Sequence, residues 1–172
     1  VEARAAVDAA INFTGPVYLR FGRLAVPVIY DEASYKMEIG RGIKMADGSD
    51  VTIIATGITV AMALEARATL AAEGIDAAVV NIHTIKPLDR ELVIAEARKT
   101  GAIVTAEEHN IIGGLGEAVC AATAEAYPVP VLRVGIEDRF GRSGKVPPLL
   151  EMYGITPANI AAKAREAVKL KK

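Results

Sequence analysis

Short apolar runs rich in β-branched residues alternate with amphipathic stretches along most of the chain. A run such as VTIIA at residues 51–55 is typical of a strand that is covered on both faces. The predicted strands span residues 51–55, 77–82, 103–106 and 129–134, and the predicted helices span residues 59–72, 89–99, 116–127 and 156–170. Because parallel strands need crossover helices between them, this alternation predicts an α/β fold with a three-layer, doubly wound and mostly parallel (mixed) sheet.

Residues with well-known positional preferences mark the ends of these helices. Thr59 is a predicted N-cap, and Thr156 followed by Pro157 is a second one. Gly74 and Gly101 each follow an amphipathic stretch and are predicted to end it.

The first part of the chain does not fit the same alternation. A helix is predicted from Val1 to the Gly15–Pro16 pair, followed by a buried strand at residues 17–21, and no earlier strand completes a βαβ unit. We therefore expect residues 1–27 to be the tail of an upstream domain whose remainder is missing from this sequence. Residues 28–172 form the second predicted domain, which begins with an irregular connector and a short strand at residues 37–43.

The composition excludes several classes of protein. Lys and Arg number 20 against 21 Asp and Glu, for a net charge of -1, which argues against nucleic acid or an anionic membrane as a partner. One Cys and two His leave no disulfide framework, no thiolate metal cluster and little for a zinc site. The sequence has neither a signal peptide pattern nor an apolar run approaching the roughly 18 residues of a membrane span. We expect a soluble, cytoplasmic domain.

A glycine cluster is the first candidate for chemistry. Gly113, Gly114 and Gly116 follow the strand at 103–106 and open a helix, so their backbone N–H groups could cradle a phosphate. Their spacing differs from the G-x-G-x-x-G of dinucleotide-binding proteins and follows the third strand rather than the first. The alternative is a tight turn that lets the helix pack close to the sheet.

Three polar residues lie just before these glycines. Glu107, Glu108 and His109 could perform acid–base chemistry, or could hydrogen-bond loop amides at the edge of the sheet where such folds bind ligands. Neighbours in a strand point to opposite faces, so the two carboxylates would not form a pair, and we favour the structural role. His83 is expected to be a hydrogen-bonded loop residue, and Cys120 a buried small apolar residue.

Arginines form two further candidate sites. Arg139 and Arg142 lie in a loop punctuated by glycines, where they could clamp a phosphate or pair with carboxylates of another subunit, and we favour the interface. Arg23 follows the predicted strand at 17–21, a position that suits recognition of an anionic or polyhydroxylated substrate. By its spacing alone it would be an ordinary surface cation.

Taken together and in order, five segments resemble one family of enzymes. They are PVYLRFGR, DVTIIATG, NIHTIKPLD, AEEHNIIGGLGEAV and EDRFGRSG with the later LLEMYGIT. The resemblance is to the carboxyl-terminal part of transketolases, in particular the C-terminal subunit of split transketolases, and it covers essentially the whole chain. EEHNIIGGLGEAV and DRFGRSG are its most specific segments. Deoxyxylulose-phosphate synthase and the β subunits of 2-oxoacid dehydrogenases share the same C-terminal domain.

The resemblance implies transfer of a two-carbon ketol unit between sugar phosphates in the pentose phosphate pathway, with thiamine diphosphate and Mg²⁺ as cofactors. These cofactors lie between two other domains in the family, and the glycine–aspartate–glycine metal motif is absent here, so none is expected on this fragment. The expected partners are an N-terminal transketolase subunit or domain and a second copy in a homodimer, and the expected role is assembly. A phosphate- or nucleotide-binding regulatory domain is a further alternative.

One substrate-binding residue is carried over from the family. The arginine that holds the substrate phosphate in transketolases matches Arg23, with Arg20 as a weaker competitor. Residues 24–27 read Leu-Ala-Val-Pro, where longer transketolases have Gln-Asn-Leu-Pro, so this assignment depends on the register. No residue of the C-terminal domain is carried over as catalytic.

Overall fold

The computed structural model describes residues 1–23 and 25–171, and within them the chain forms six helices and five strands. Leu24 and Lys172, which belong to the two predicted domains, lie outside the described residues. In chain order the elements are α1 (Glu2–Ile11), β1 (Ile43–Ala46), β2 (Val51–Ala55), α2 (Thr59–Ala72), β3 (Ala77–Asn81), α3 (Arg90–Thr100), β4 (Ile103–Asn110), α4 (Leu115–Ala126), β5 (Val131–Ile136), α5 (Val146–Met152) and α6 (Pro157–Lys169).

The five strands form one mixed sheet in the order β1-β3-β2-β4-β5. All neighbouring pairs are parallel except β1 and β3, so β1 is an antiparallel edge strand. β2 and β3 are buried at every position, as their uninterrupted apolar runs predict for strands covered on both faces. The predicted three-layer, doubly wound α/β fold is confirmed.

Two apolar cores lie on opposite faces of this sheet. On one face, Ile53 and Val79 pack with side chains of α2 and α6 such as Leu70 and Ile160. On the other face, Ile54 belongs to a second cluster with side chains of α3 and α4. Consecutive residues of a strand point to opposite faces, so Ile53 and Ile54 contribute to different cores. Each face of the sheet is thereby covered by a pair of helices.

Most ends of the helices follow the predicted signals, but α1 ends at Ile11, before the predicted stop at Gly15–Pro16. The Asp89 side chain caps α3 by accepting a hydrogen bond of 3.1 Å from the Leu92 backbone nitrogen, and Gly101 ends that helix at a φ of 70°. The Thr156 side chain caps α6. Thr59 was predicted to be an N-cap, which is wrong: it is the first residue of α2. Its hydroxyl donates to backbone carbonyls and accepts from the Thr56 backbone nitrogen before the helix, not from an amide of the first turn.

Two predictions about the irregular parts are corrected, and one helix was missed. Residues 17–21 are exposed and form no strand, because the sheet offers them no neighbouring strand to satisfy their backbone groups. The short strand lies at Ile43–Ala46 rather than at 37–43. The short helix α5 was not predicted, although the prolines in its first turn are a known start signal. No helix among the described residues is long and apolar enough to cross a membrane.

Candidate functional site at the carboxyl edge of the sheet

The carboxyl ends of β2 and β4 mark the position where doubly wound sheets usually bind ligands, because the chain leaves β2 toward β3 and returns to β4 on the other side. Here the start of α2 lies directly against β4. The Thr59 hydroxyl donates to the Ala106 carbonyl oxygen at 2.7 Å, and the Thr56 backbone nitrogen donates to the same oxygen at 3.2 Å. The protein's own groups therefore bond to each other across this switch point.

The glycine cluster lies beside it, at the beginning of α4. The side chain of Glu107 is 1% exposed, and its two carboxylate oxygens accept hydrogen bonds of 2.8 Å from the backbone nitrogens of Leu115 and Gly116. The Gly113 backbone nitrogen donates to the Glu117 carboxylate at 2.9 Å. The amides that would cradle a phosphate thus bond to carboxylates of the chain itself, at the end of the helix that favours negative charge.

Glycine is required where this carboxylate approaches the chain most closely. A Cβ atom at Gly114 would lie 2.0 Å from Oε2 of Glu107, well inside van der Waals contact. A Cβ atom at Gly116 would lie 2.7 Å from Cδ of Arg133. Gly113 has a φ of 75°, which disfavours other residues. These three glycines therefore fit the interpretation as a tight turn that brings α4 against the sheet.

The other members of the polar triplet become progressively more exposed along β4. Glu107 points inward, whereas Glu108 is half-buried and His109 is exposed. The Nδ1 atom of His109 is 2.8 Å from the Asn110 carbonyl oxygen and 3.8 Å from Oε2 of Glu107. Of the two roles considered for Glu107, the structure matches the one in which it hydrogen-bonds loop amides.

Arg139 and Arg142 lie in the exposed loop between β5 and α5. The Tyr153 hydroxyl donates to the Phe140 carbonyl oxygen at 2.7 Å and ties this loop to the end of α5. The Phe140 side chain is 97% exposed, and Asp138 adopts a φ of 47°, which is uncommon for a residue other than glycine. The loop presents an aromatic ring to solvent, and Phe140 lies between Arg139 and Arg142 in the sequence.

Arg23 is exposed and lies in the stretch without regular secondary structure that follows α1. Arg20 is exposed in the same stretch. Apolar side chains around them are also largely exposed, with Tyr18 at 87% and Val28 at 80%. The structure does not bring Arg23 together with the glycine cluster in any contact among the described residues.

A polar cluster near the end of β3 was missed by sequence reasoning. The Asn81 amide nitrogen donates to the Glu2 carboxylate and, at 2.6 Å, to the Tyr30 hydroxyl oxygen. The Tyr35 hydroxyl donates to Glu2 at 3.2 Å, and the two tyrosine rings have centroids 4.3 Å apart. Burial raises the pKa of Tyr30 to about 12. In the sequence, the only sign of this cluster was the polar Asn81 at the end of the otherwise apolar run AAVVN.

The environments of His83 and Cys120 fit structural roles. The Nδ1 atom of His83 is 2.8 Å from the Thr84 hydroxyl, as expected for a hydrogen-bonded loop residue, and burial lowers the pKa of this imidazole. Cys120 is half-buried rather than fully buried, and burial raises the pKa of its thiol. A raised thiol pKa disfavours the reactive thiolate, so the apolar interpretation of Cys120 holds.

The described residues do not fit a thiamine diphosphate or Mg²⁺ site. Magnesium needs oxygen ligands arranged around it, and the described part of the chain contains no cluster of three or more Asp, Glu, His or Cys side chains that could hold a metal. The start of α4, which suits a diphosphate by its dipole, is engaged by Glu107. Within residues 1–23 and 25–171, the edge offers internal contacts rather than donors for these cofactors.

These features define a class of protein. It is a doubly wound α/β domain in which side chains of the protein itself occupy the edge where such folds usually bind ligands. An exposed segment that carries arginines precedes this domain in the sequence. The chain belongs to the family described as transketolase, C-terminal domain, which matches residues 40–160. The resemblance to the C-terminal part of transketolases is thereby confirmed.

Curated relatives agree with this assignment. The 6-deoxy-6-sulfo-D-fructose transketolase subunit SqwH of Clostridium sp. strain MSTE9 is 44% identical over 170 residues, which is 99% of this chain and 52% of that protein. A putative transketolase C-terminal section of Methanocaldococcus jannaschii is 43% identical over 92% of this chain and 50% of that protein. The 1-deoxy-D-xylulose-5-phosphate synthase of Heliobacterium modesticaldum is 46% identical over 91% of this chain but only 25% of that protein.

A solved structure shows the same fold over nearly the whole chain. It is described as a split gene transketolase, inactive β4 tetramer; it is 48% identical, with a TM-score of 0.96, over 99% of this chain and 56% of that one. This chain therefore spans about half the length of the split transketolase subunits it resembles.

Proposed function

We propose that this chain is the C-terminal part of a transketolase that transfers a two-carbon ketol unit from a ketose phosphate to an aldose phosphate. The observation that carries the proposal is the likeness to a split transketolase, at 48% identity and a TM-score of 0.96 over 99% of the chain. In this proposal residues 1–27 belong to the pyrimidine-binding domain and residues 28–172 are the C-terminal domain. The exposed apolar side chains of the first segment, Tyr18 and Phe21 among them, support this division because they suit coverage by further parts of that domain.

Catalysis then depends on partners of this chain. An N-terminal transketolase subunit or domain would carry thiamine diphosphate and Mg²⁺, for which the described residues offer no ligand set. The related split transketolase tetramer is described as inactive, which supports the expectation that the chain has no activity alone. The predicted cytoplasmic location remains a prediction.

Arg23 is the proposed contact to the substrate. A guanidinium group can bind a phosphate through two parallel hydrogen bonds, which gives both strength and orientation. Its exposed position leaves the side chain accessible to a sugar phosphate held between this chain and its partner. Holding the phosphate would fix the distance between the substrate carbonyl and the reactive centre, which is how positioning accelerates a bimolecular step.

The C-terminal domain itself is proposed to assemble the enzyme by pairing with a second copy. Phe140 is an aromatic side chain with the exposure expected of an interface anchor. Beside it, Arg139 and Glu137 form an exposed ion pair within the chain at 3.4 Å, which places both charges at the rim of the proposed contact. The related split transketolase structure is a β4 tetramer, which supports self-association.

A second candidate function is favoured by one observation. The chain is 46% identical to a 1-deoxy-D-xylulose-5-phosphate synthase, which is comparable to its 44% identity to a transketolase subunit. The β subunit of a 2-oxoacid dehydrogenase is a related alternative without such support. A phosphate- or nucleotide-binding regulatory role at Gly113, Gly114 and Gly116 is disfavoured, because Glu107 would have to leave the amides first.

The test combines the full-length protein that contains this chain with its N-terminal partner, thiamine diphosphate and Mg²⁺, and assays ketol transfer between a ketose phosphate and an aldose phosphate. We expect activity only when both polypeptides are present. Activity of this chain alone, or none in the reconstituted pair, would contradict the proposal. Formation of 1-deoxy-D-xylulose 5-phosphate by the pair would select the second candidate.

A further inference from the structure

One buried amide joins two parts of the chain that are far apart in sequence. Asn81 is the last residue of β3 and is 1% exposed. Its Nδ2 atom donates one hydrogen bond to the carboxylate of Glu2 in α1 and another, of 2.6 Å, to the hydroxyl oxygen of Tyr30. Both hydrogens of the amide are therefore used, one on each partner.

Glu2 and Tyr30 flank the segment that contains Arg23. Residues 12–29 leave α1 and return to the domain at Tyr30, so the amide of Asn81 connects the two ends of this segment at one point. Further contacts strengthen the same junction: the Tyr35 hydroxyl donates to Glu2 at 3.2 Å, and Arg4 pairs with Glu32. A loop whose ends are held together explores fewer positions than one that is tethered at a single end.

The residue type at position 81 is not explained by packing. Ala77, Val79 and Asn81 lie on the same face of β3 because strand side chains alternate, and the first two contribute to an apolar core. Asn is disfavoured in strands, and burying its amide is costly unless every donor finds an acceptor. Both N–H groups of Asn81 find acceptors in Glu2 and Tyr30, whereas its buried Oδ1 atom has no hydrogen-bond partner among the described residues.

We infer that Asn81 is a positioning residue, which fixes the base of segment 12–29 and so the place from which Arg23 reaches a sugar phosphate. The inference rests on the proposed function of Arg23. Asn81 acts on the substrate only indirectly, through the backbone of the segment whose ends it holds together.

The test uses Asn81→Ala in the full-length protein that contains this chain, reconstituted with its N-terminal partner and cofactors. We expect the KM for a phosphorylated ketose to rise roughly fivefold with little change in kcat, the size expected for a lost hydrogen bond. The KM for an unphosphorylated ketose should not change. Because the two residues would act on the same contact, Asn81→Ala should add nothing in an Arg23→Ala background. Equal rises for both ketoses, or additive effects of the two substitutions, would overturn the inference.

A second measurement does not depend on activity. Amide hydrogen exchange of the full chain should become faster in α1 when Asn81 is replaced by Ala, while β2 stays protected. The milder Tyr30→Phe, which removes one acceptor, should produce a smaller change in the same direction. Asn159→Ala is the matched control, because that amide donates at 2.7 Å to the Gly154 carbonyl at a different place.

The two measurements separate the two hypotheses. Unchanged exchange in α1 would overturn the role of Asn81 even if ketol transfer is observed. Faster exchange in α1 together with an absence of ketol transfer would leave the junction in place and contradict the proposed function instead.

Discussion

The Oε1 atom of Glu107 lies 2.8 Å from the backbone nitrogen of Gly116, and this contact joins the middle of β4 to the start of α4. The second carboxylate oxygen accepts from Leu115 at the same distance. Two of the backbone donors that every helix leaves unpaired at its beginning are thus satisfied by one internal anion. The favourable interaction of a carboxylate with the helix dipole adds to this stabilisation.

The first prediction concerns this contact. Glu107→Gln keeps the size of the side chain but replaces one accepting oxygen by an NH₂ group, which faces a backbone donor and leaves it unsatisfied. A buried unsatisfied donor costs about 1–3 kcal/mol, so we expect the free energy of unfolding to fall by this amount in urea titrations. Glu125→Gln is the control, since Glu125 pairs with Arg90 on the surface, where ion pairs contribute little. If Glu107→Gln and Glu125→Gln lower the free energy of unfolding equally, the contact with α4 contributes no more to stability than a surface ion pair.

The regular part of the fold was predictable because its signals are local. The run VTIIA is strand β2 residue for residue, and the Asp89 cap and Gly101 stop of α3 are where their side-chain chemistry places them. The same local rules failed at residues 17–21, where an apolar run has strand character but pairs with no strand among the described residues. Local preference alone cannot supply the partner that a strand needs.

The contacts of the candidate sites were less predictable. Glu107 and Gly116 are separated by nine residues, and the sequence shows both a strand end and a glycine-rich helix start, so hydrogen bonding to loop amides could be considered in advance. Asn81 and Glu2 are separated by 79 residues, and no local pattern relates them. The polar junction depends on how α1 returns to the sheet, which only the folded chain reveals.

The second prediction addresses Arg23 in the reconstituted enzyme. Arg23→Ala should raise the KM for a phosphorylated donor or acceptor roughly 10- to 100-fold, as expected for the loss of hydrogen bonds to a charged group. The affinity for thiamine diphosphate, measured by calorimetric titration, should not change. Arg20→Ala is the matched control from the same exposed stretch. An unchanged KM would remove Arg23 from the site, and a larger rise in Arg20→Ala would transfer the role to Arg20.

The third prediction concerns assembly. Phe140→Ala should weaken self-association of the chain roughly 30-fold in sedimentation equilibrium, since truncating an aromatic anchor removes much of the binding energy of an interface. Tyr127→Ala is the control, because Tyr127 is a partly exposed aromatic residue that contacts Arg98 at another place. A dimer of unchanged strength in Phe140→Ala would exclude this loop from the interface, as would equal weakening by the control.

The fourth prediction concerns alkaline pH and the junction at Asn81. Burial raises the pKa of Tyr30 to about 12 from its ordinary value of 10.0, while the hydrogen bond from Asn81 acts in the opposite direction. The unfolded chain therefore loses this proton at lower pH than the folded chain. The contribution of the neutral hydroxyl to stability is complete below about pH 10 and is lost as the pH rises toward 12. Because Tyr30 is partly exposed and solvent screens the group, we expect a loss of about 1 kcal/mol.

Urea unfolding of the wild type and of Tyr30→Phe at about pH 9 and about pH 11 measures this contribution, since only the wild type carries the Tyr30 proton. The wild type should lose more stability than Tyr30→Phe between the two conditions. Tyr18→Phe should behave as the wild type, because Tyr18 is 87% exposed and lies outside the cluster with Glu2 and Asn81. If Tyr30→Phe loses as much stability as the wild type over this interval, the Tyr30 hydroxyl does not carry the alkaline sensitivity of the junction.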